Sequence, residues 1–195
     1  MKKIKIMKAL SISSLRVLLN LLLVAILLPA CSQKEKEPIT SSIDKPQMDM
    51  PTAVISGNLE EVKKHIKAGS DINQKDAFSS STPLMTAVVF DKRDVAKELI
   101  DAGADLAIKN NDGSTALHSA AFFCRIEIVQ MLIDANADKT QLNNFGATAR
   151  ESIMGPFNEI KPVYEMMQQQ LEPFGLKLDM DKLEKTRPVI AMMLQ

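Results

Sequence analysis

Apolar residues in the middle of the chain recur at the spacing of one helical face. They lie three and four positions after Leu84, and again three and four positions after Ala96, which predicts two consecutive amphipathic helices. The stretch 82–105 then returns in the same pattern as 115–138, an offset of 33 residues. A fixed period of this length predicts a stack of helix–turn–helix units, because no single unit can bury its apolar face alone.

Turn-forming residues mark the ends of the predicted helices. Pro83 suits the first turn of a helix, where a missing N–H is harmless. Gly103 suits the left-handed position that follows a helix. Asn-Asn-Asp-Gly at 110–113 and Asn-Asn-Phe-Gly at 143–146 have the composition of tight loops, so we expect loops between successive units at these places.

A first and more divergent unit precedes these two. Residues 53–71 align with 87–105 at an offset of 34, so we expect one inserted residue, in the serine run 79–81. This unit lacks a Thr-Pro-Leu opening, as expected of an end unit whose outer face must be soluble.

Two short motifs connect this pattern with a known family. Thr-Pro-Leu at 82–84 and Thr-Ala-Leu-His at 115–118 resemble the opening of ankyrin repeats. The resemblance implies an all-α solenoid of ankyrin repeats over residues 50–155, with hairpin-like loops that project to one side. It also implies that Thr115 and His118 hydrogen-bond to each other and tie adjacent repeats. The residues assigned to the structural repeat motif are Thr82, Pro83, Leu84, Gly103, Thr115, Leu117, His118 and Thr148.

The repeat pattern stops after a fourth opening at Thr148. Residues 156–195 depart from the family pattern, and we expect a divergent helical C-terminal cap that covers the last unit. The apolar spacing predicts one helix that ends near 173–175, a short helix around Leu183 and a third helix over 188–194. The residues expected to face inward in the third helix are Val189, Ile190 and Met193. The alternative is a separate partner-binding element.

The N-terminus has the pattern of a targeting segment. Basic residues and an apolar run over 17–28 precede small residues, and the run is shorter than the roughly 20 residues of a membrane-spanning helix. Leu-Pro-Ala-Cys at 28–31 resembles the lipobox of a bacterial lipoprotein, which implies a signal peptide over 1–30 and lipidation of Cys31. The polar composition of 31–49 predicts a flexible tether. The alternatives are an uncleaved signal anchor and ordinary secretory cleavage.

The resemblance to lipoproteins also implies a location. Ser32 and Gln33 follow the cysteine in place of Asp, which resembles an outer-membrane sorting signal. We therefore expect a protein of the bacterial cell envelope, lipid-anchored in the outer membrane and facing the periplasm.

Charge and residue usage disfavour several classes of function. From Cys31 onward the chain carries 19 basic and 24 acidic residues, because five of its 24 basic residues precede that position. An acidic body argues against nucleic acid as a partner. With two histidines in different repeats and no Gly-rich phosphate loop, the sequence predicts no metal site, no cofactor, no small-molecule substrate and no enzymatic activity. Only residues 156–195 leave room for an enzyme.

The second cysteine has no partner in the body of the protein. Cys124 occupies the tight turn of the third unit, where the first unit has glycine. A small buried apolar side chain is the role we expect, and a redox-sensitive thiol is the alternative.

Phenylalanines are concentrated at the loop tips and at the ends of the first helices. In ankyrin folds these positions line the concave surface and vary with the partner, and exposed aromatic side chains are favoured binding anchors. We expect at least three of five phenylalanines to be accessible, the alternative being that Phe122 in particular folds back into the packing between repeats. The predicted partner-binding residues are Phe78, Val89, Phe90, Asn111, Asp112, Phe122, Phe123, Asn144 and Phe145.

The sequence thus predicts a monomeric, membrane-tethered module that binds a partner protein through its concave face and loop tips. The alternative function is an immunity or stress-protective accessory protein for a neighbouring envelope effector or enzyme. The identity of the partner is not encoded in these patterns, because loop-tip residues specify shape and not identity.

Overall fold

The computed structural model describes residues 45–195, which form eight α-helices and two short 3₁₀ helices. The α-helices are α1 (Met50–Ser56), α2 (Leu59–Lys67), α3 (Pro83–Val89), α4 (Arg93–Asp101), α5 (Ala116–Phe122), α6 (Ile126–Asp134), α7 (Phe157–Leu171) and α8 (Met180–Met193). The 3₁₀ helices are Glu151–Ile153 and Glu172–Phe174. Residues 45–195 contain no strand, and the predicted all-α solenoid is confirmed.

Short polar side chains and prolines begin the helices. Asp49 Oδ1 accepts a hydrogen bond from the N–H of Thr52 (2.8 Å) at the start of α1. At the start of α3, Thr82 Oγ1 accepts one from the N–H of Met85 (3.3 Å). Both helices carry a proline in the first turn, where the ring preorganises the backbone without losing a hydrogen bond.

The helices pair within each unit and stack between units. The first helices α1, α3 and α5 contact one another in one row, and the second helices α2, α4 and α6 form a parallel row. Leu84 and Leu117 of the first row, and Leu99 and Leu132 of the second, are fully buried between them. The apolar stripes read from the sequence therefore form one continuous core.

The fourth unit is completed by a helix that lies far along the chain. The 3₁₀ helix Glu151–Ile153 packs on α5 and continues the row of first helices. Helix α8 packs on α6 and so takes the place of a second helix, while α7 is an insertion that contacts α8 and the 3₁₀ helix Glu172–Phe174. The C-terminal cap is therefore an interrupted fourth repeat with one extra helix.

Two expectations about the C-terminal cap were wrong. Helix α8 runs without a break from Met180 to Met193, with Pro188 inside it, so no separate third helix begins at that proline. A helix-interior proline removes one backbone hydrogen bond, and burial of Ile190, Ala191 and Leu194 against the repeats offsets this loss. Val189 does not face inward, because its side chain is 40% exposed.

The N-terminal edge of the described region is bound to the second helix of the first unit. Glu61 Oε2 accepts a hydrogen bond from the N–H of Gln47 (2.6 Å), and a ring nitrogen of His65 lies 2.8 Å from the carbonyl oxygen of Met48. Gln47 and Met48 are therefore bound to the first unit, although the sequence predicted a flexible tether up to residue 49.

No helix within residues 45–195 is long and apolar enough to cross a membrane. The predicted signal peptide over 1–30, and Cys31, lie outside the described residues.

Candidate partner-binding surface

The loops between units form a ladder of hydrogen bonds, in which each loop binds the one before it. Asn111 donates its backbone N–H to the carbonyl of Ser79 (2.9 Å) and its side-chain amide to the carbonyl of Phe78 (2.8 Å). Asn144 repeats both bonds, to the carbonyls of Asp112 (2.9 Å) and Asn111 (2.9 Å). Both side chains thus have a structural role in the ladder, and since both residues are also exposed, their contact with a partner stays a prediction.

Lysines add a second set of bonds to this ladder. Lys75 donates its Nζ to the carbonyl of Lys109 (2.6 Å), and Lys109 in turn donates to the carbonyl of Leu142 (2.8 Å). The loops are therefore cross-linked twice at each step, which holds their tips in fixed positions relative to one another.

The first loop contains the inserted residue. The N–H of Asp76 binds the carbonyl of Ser81, five positions on, whereas the N–H of Asn110 binds the carbonyl of Ser114, four positions on. The serine run does not hold the extra residue, because Ser79 and Ser80 already have equivalents in Asp112 and Gly113, by the ladder bonds and the left-handed backbone. The insertion therefore lies just before them, between Asp76 and Ser79.

A close approach between the second and third loops requires Gly113. This residue is buried and has a φ of 68°, in the left-handed region, and a Cβ atom there would lie 2.7 Å from the backbone nitrogen of Asn144. The equivalent residue of the third loop, Gly146, has a φ of 71° but is exposed, and nothing lies within 4 Å of its Cβ position.

The tips of the three loops are the most exposed part of the predicted site. Phe78 is 93% exposed and Phe145 is 81% exposed, and Asp112, also exposed, lies at the tip of the loop between theirs. Two aromatic side chains therefore flank one carboxylate on successive rungs of the ladder.

The end of α3 contributes a second, less exposed area. Val89 and Phe90 are both partly buried, so each presents one side to solvent while the other packs in the fold. Their contact with a partner stays a prediction.

The corresponding residues of the third unit are less accessible than predicted, because Phe123 is buried and Phe122 is partly buried. Phe123 is only 3% exposed, with the guanidinium of Arg125 5.8 Å from its ring centre. Phe122 packs on Tyr164 with ring centres 4.5 Å apart. Of the five phenylalanines, Phe78 and Phe145 are thus open to solvent, Phe90 is half-buried, and the third-unit pair faces the cap.

Tyr164 and Arg187 hold the cap on the third unit, and the sequence reasoning missed both. The fully buried Tyr164 donates its hydroxyl to the carbonyl of Phe122 (2.6 Å). Arg187 donates to that hydroxyl (3.3 Å) and to the carbonyl of Gly155 (2.9 Å). Burial raises the pKa of Tyr164 to about 12. The available signal was that Tyr164 is the single tyrosine of the chain.

Arg125 donates hydrogen bonds to the turn of the preceding unit, at the end of α3. Its Nη2 donates to the carbonyl of Val89 (2.7 Å). Beside it, Arg93 forms ion pairs with Asp91 (3.1 Å) and Glu127 (2.9 Å). These bonds connect the second-unit turn, next to Val89 and Phe90, to the third unit.

His118 links two repeats through both of its ring nitrogens. Nε2 lies 3.1 Å from the carbonyl oxygen of Ala147 and must carry the hydrogen of that bond. In a neutral ring Nδ1 is then an acceptor, and it lies 2.9 Å from Thr115 Oγ1 and 3.3 Å from Thr115 N. Burial is the main cause that lowers the pKa of His118, and the hydrogen bond to Ala147 opposes it.

The lowered pKa of His118 predicts a loss of stability in acid. Because the folded state favours the neutral ring, its stabilising effect is complete above about pH 6.5, the unfolded value, and declines as the pH falls below that towards the folded pKa. The matched variant is His118→Met, since Met85 fills the equivalent buried position of the second unit. We expect the unfolding free energy of wild type to exceed that of His118→Met at about pH 7.5, as measured by urea unfolding. This excess should become smaller by about pH 5. A constant difference would contradict this role.

The other residues considered for a chemical role are the second cysteine and possible metal ligands. Cys124 is buried, and burial raises the pKa of its thiol to about 11, far from the reactive thiolate form. Among residues 45–195, no group of three or more His, Cys, Asp or Glu side chains is placed to hold a metal ion.

Comparison with known proteins agrees with this architecture. Residues 52–143 match the family model described as ankyrin repeats, three copies. This part of the chain consists of ankyrin repeats, and ankyrin repeats are a protein–protein interaction module.

The chain is also similar to protein phosphatase 1 regulatory subunit 27 of Homo sapiens and of Mus musculus. Each is 48% identical over 61 residues, which are 31% of this chain and 39% of the relative. The chain therefore spans about two fifths of the length of these relatives.

Proposed function

We propose that the protein binds a partner protein through the loop tips Phe78, Asp112 and Phe145, together with the solvent-facing sides of Val89 and Phe90. The observation that carries the proposal is the nearly complete exposure of two phenylalanines on the first and third loops of a rigid ladder. Exposed aromatic side chains are costly in water unless a partner covers them, and they are common anchors of interfaces.

The rigidity of the loops favours tight binding. Side chains that are already fixed lose little conformational freedom when a partner binds, and this loss is one of the main costs of association. The arrangement suits a partner with two apolar pockets on either side of a basic group, because Asp112 lies between the aromatic tips.

A photo-crosslinking experiment tests this surface. A photoreactive phenylalanine analogue at Phe78 or Phe145 should crosslink to one protein in intact cells, and the same analogue at the exposed Lys97 of α4 should not. The pair Phe78→Ala and Phe145→Ala should reduce co-purification of that protein at least about tenfold, the loss expected for two interface anchors of 1 kcal/mol or more each. Equal recovery with both tips truncated would reject the proposed surface.

We further propose that Cys31 carries lipid and anchors the protein in the bacterial cell envelope, at the outer membrane. The support is the Leu-Pro-Ala-Cys pattern at 28–31 after a short apolar run. Each buried CH₂ of an acyl chain contributes about 0.8 kcal/mol to membrane affinity, so several chains would hold the body firmly.

Cys31→Ser should release the protein from the membrane if this proposal is right. We expect the variant to appear in the soluble fraction, or as an uncleaved precursor, when membranes are sedimented and the product is sized by mass spectrometry. Cys124→Ser is the matched control, because Cys124 is buried in the fold and its loss should leave sedimentation unchanged. A Cys31→Ser protein of mature mass that still sediments with membranes would contradict lipidation.

A second candidate function is control of an enzyme, as an accessory or immunity protein of a neighbouring effector. The names of the relatives, regulatory subunits of protein phosphatase 1, favour a partner that is an enzyme. If the crosslinked partner is an enzyme, the purified protein should change its rate, and the Phe78→Ala and Phe145→Ala pair should not. An unchanged rate at saturating protein would leave simple binding as the function.

A further inference from the structure

The third loop is the last in the ladder, and its outward-facing main-chain carbonyls accept no hydrogen bond from a further loop of the described chain. The carbonyls of Phe78 and Ser79 each accept a hydrogen bond from Asn111, and those of Asn111 and Asp112 each accept one from Asn144. The equivalent carbonyls of the third loop belong to Asn144 and Phe145, and no donor within residues 45–195 reaches them.

The third loop has the same backbone conformation as the second loop, but no asparagine among the described residues lies over it. In the second loop, Asn144 lies directly over Gly113, so that a Cβ atom there would be 2.7 Å from the Asn144 nitrogen and 2.8 Å from its Cγ. In the third loop, Gly146 has the same left-handed backbone but an open Cβ position and an exposed surface. The end slot, formed by Gly146 and the carbonyls of Asn144 and Phe145, is thus an asparagine-binding site without its asparagine.

The chain does not fill this slot with a fourth loop. After the 3₁₀ helix Glu151–Ile153, the chain turns into α7, which packs with α8, and no loop in the described part of the chain stacks on the third one. The apolar side chains next to the slot, Leu142 and Phe145, are 50% and 81% exposed.

We propose that the end slot binds an asparagine-bearing turn of a partner protein. The asparagine donates its backbone N–H to the carbonyl of Phe145 and its side-chain amide to the carbonyl of Asn144, while its side chain covers Gly146. This extends the ladder by one rung across the interface, a form of backbone addition known from sheet edges. Leu142 and Phe145 supply apolar contacts beside it.

A second copy of this chain does not supply the complement by stacking end to end. Its first loop carries Phe78 at the position of Asn111 and Asn144, since the carbonyls of Phe78 and Asn111 accept equivalent bonds, so the amide donor is missing. Asn111 and Asn144 of a second copy already donate to that copy's own loops, so the proposed occupant is a different protein. The site rests on the proposed protein-binding function but uses main-chain carbonyls at the end of the stack, so it is separable from the aromatic tips.

The probe is a cyclised peptide of this chain's own third loop, residues 139–149, which already carries the right asparagine. Added to isotope-labelled protein at up to about 5 mM, it should shift the backbone amide resonances of residues 142–147, with a dissociation constant on the order of 1 mM. The same peptide with Asn144→Ala should bind about tenfold more weakly, the loss expected for the amide bond and its contacts.

The matched protein variants are Gly146→Asn, which fills the slot, and Gly103→Asn, which introduces the same side chain at another open left-handed position. Asn136 already occupies the equivalent of Gly103 in the third unit with a φ of 60°. Binding should be lost in Gly146→Asn and kept in Gly103→Asn.

Equal shifts from the two peptides, no shift at the highest concentration, or unchanged binding by Gly146→Asn would each overturn the end slot. Concentration-dependent self-association that Gly146→Asn abolishes would overturn the choice of a different protein as occupant. Phe78→Ala leaves the whole end slot in place, so loss of partner binding in that variant with peptide binding intact separates the loop-tip surface from the end slot.

Discussion

Gly113→Ala should destabilise the fold by about 2 kcal/mol more than Gly146→Ala, although the two glycines have nearly the same backbone conformation. Both substitutions place a side chain at positive φ, which costs roughly 1–2 kcal/mol. Only at Gly113 does the new Cβ meet other atoms, 2.7 Å from the backbone nitrogen of Asn144. Displacing that residue strains the contact and weakens the two hydrogen bonds that Asn144 makes to the second loop, with a typical cost of about 1–3 kcal/mol for overpacking.

Urea unfolding of the two single variants measures the difference directly, because the shared backbone strain cancels. A third variant, Gly113→Ala with Asn144→Gly, removes the asparagine side chain and should recover part of the loss but not all of it, since the backbone nitrogen stays in place. Equal unfolding free energies for Gly113→Ala and Gly146→Ala would mean that the loops do not approach as closely as described.

Leu117→Ala should destabilise the protein by about 2–5 kcal/mol, the range measured when a buried leucine is truncated in a packed core. Leu117 is 1% exposed and belongs to the core that joins the first helices. Because the units stack, its loss weakens the contacts of α5 with both neighbouring units. In a repeat protein such an interface term acts on adjacent units together.

Leu142→Ala is the matched control, since Leu142 is 50% exposed in the third loop and its truncation should cost less than about 1 kcal/mol. Both variants can be compared by urea unfolding at one pH. A loss below 1 kcal/mol at Leu117 would mean that the register of the repeats is wrong.

The fold could be predicted because the sequence signals that specify it recur at a fixed period. Caps, turns and core positions recur every 33 residues, so a weak signal at Thr82 is supported by Thr115 and Thr148. Periodicity failed where the chain stops repeating. No residue near Phe122 in the sequence predicts that Tyr164, 42 residues later, packs on it.

The site was harder to predict than the fold, because exposure depends on what packs against a residue from far away in sequence. Phe78 and Phe145 lie at the tips of their loops, and both are exposed. Phe123 has the same local sequence signal but lies under Arg125 and beside the cap. The asparagines Asn111 and Asn144 looked like free polar tips, yet their recurrence at 33 residues was itself a sign of a structural role.

The insertion of α7 separates the two halves of the fourth unit in sequence, which affects the entropic cost of forming that unit. Each of the first three units closes on its neighbour through short turns, so their contacts are local. The fourth unit must bring α8 back to Ile153 across the 26 intervening residues 154–179. The entropy of closing a loop grows only slowly, by about 0.6 kcal/mol for each doubling of length, so this excursion adds little to the cost of the last unit. It lets the chain carry an extra helix between two halves of one repeat without giving up the stack.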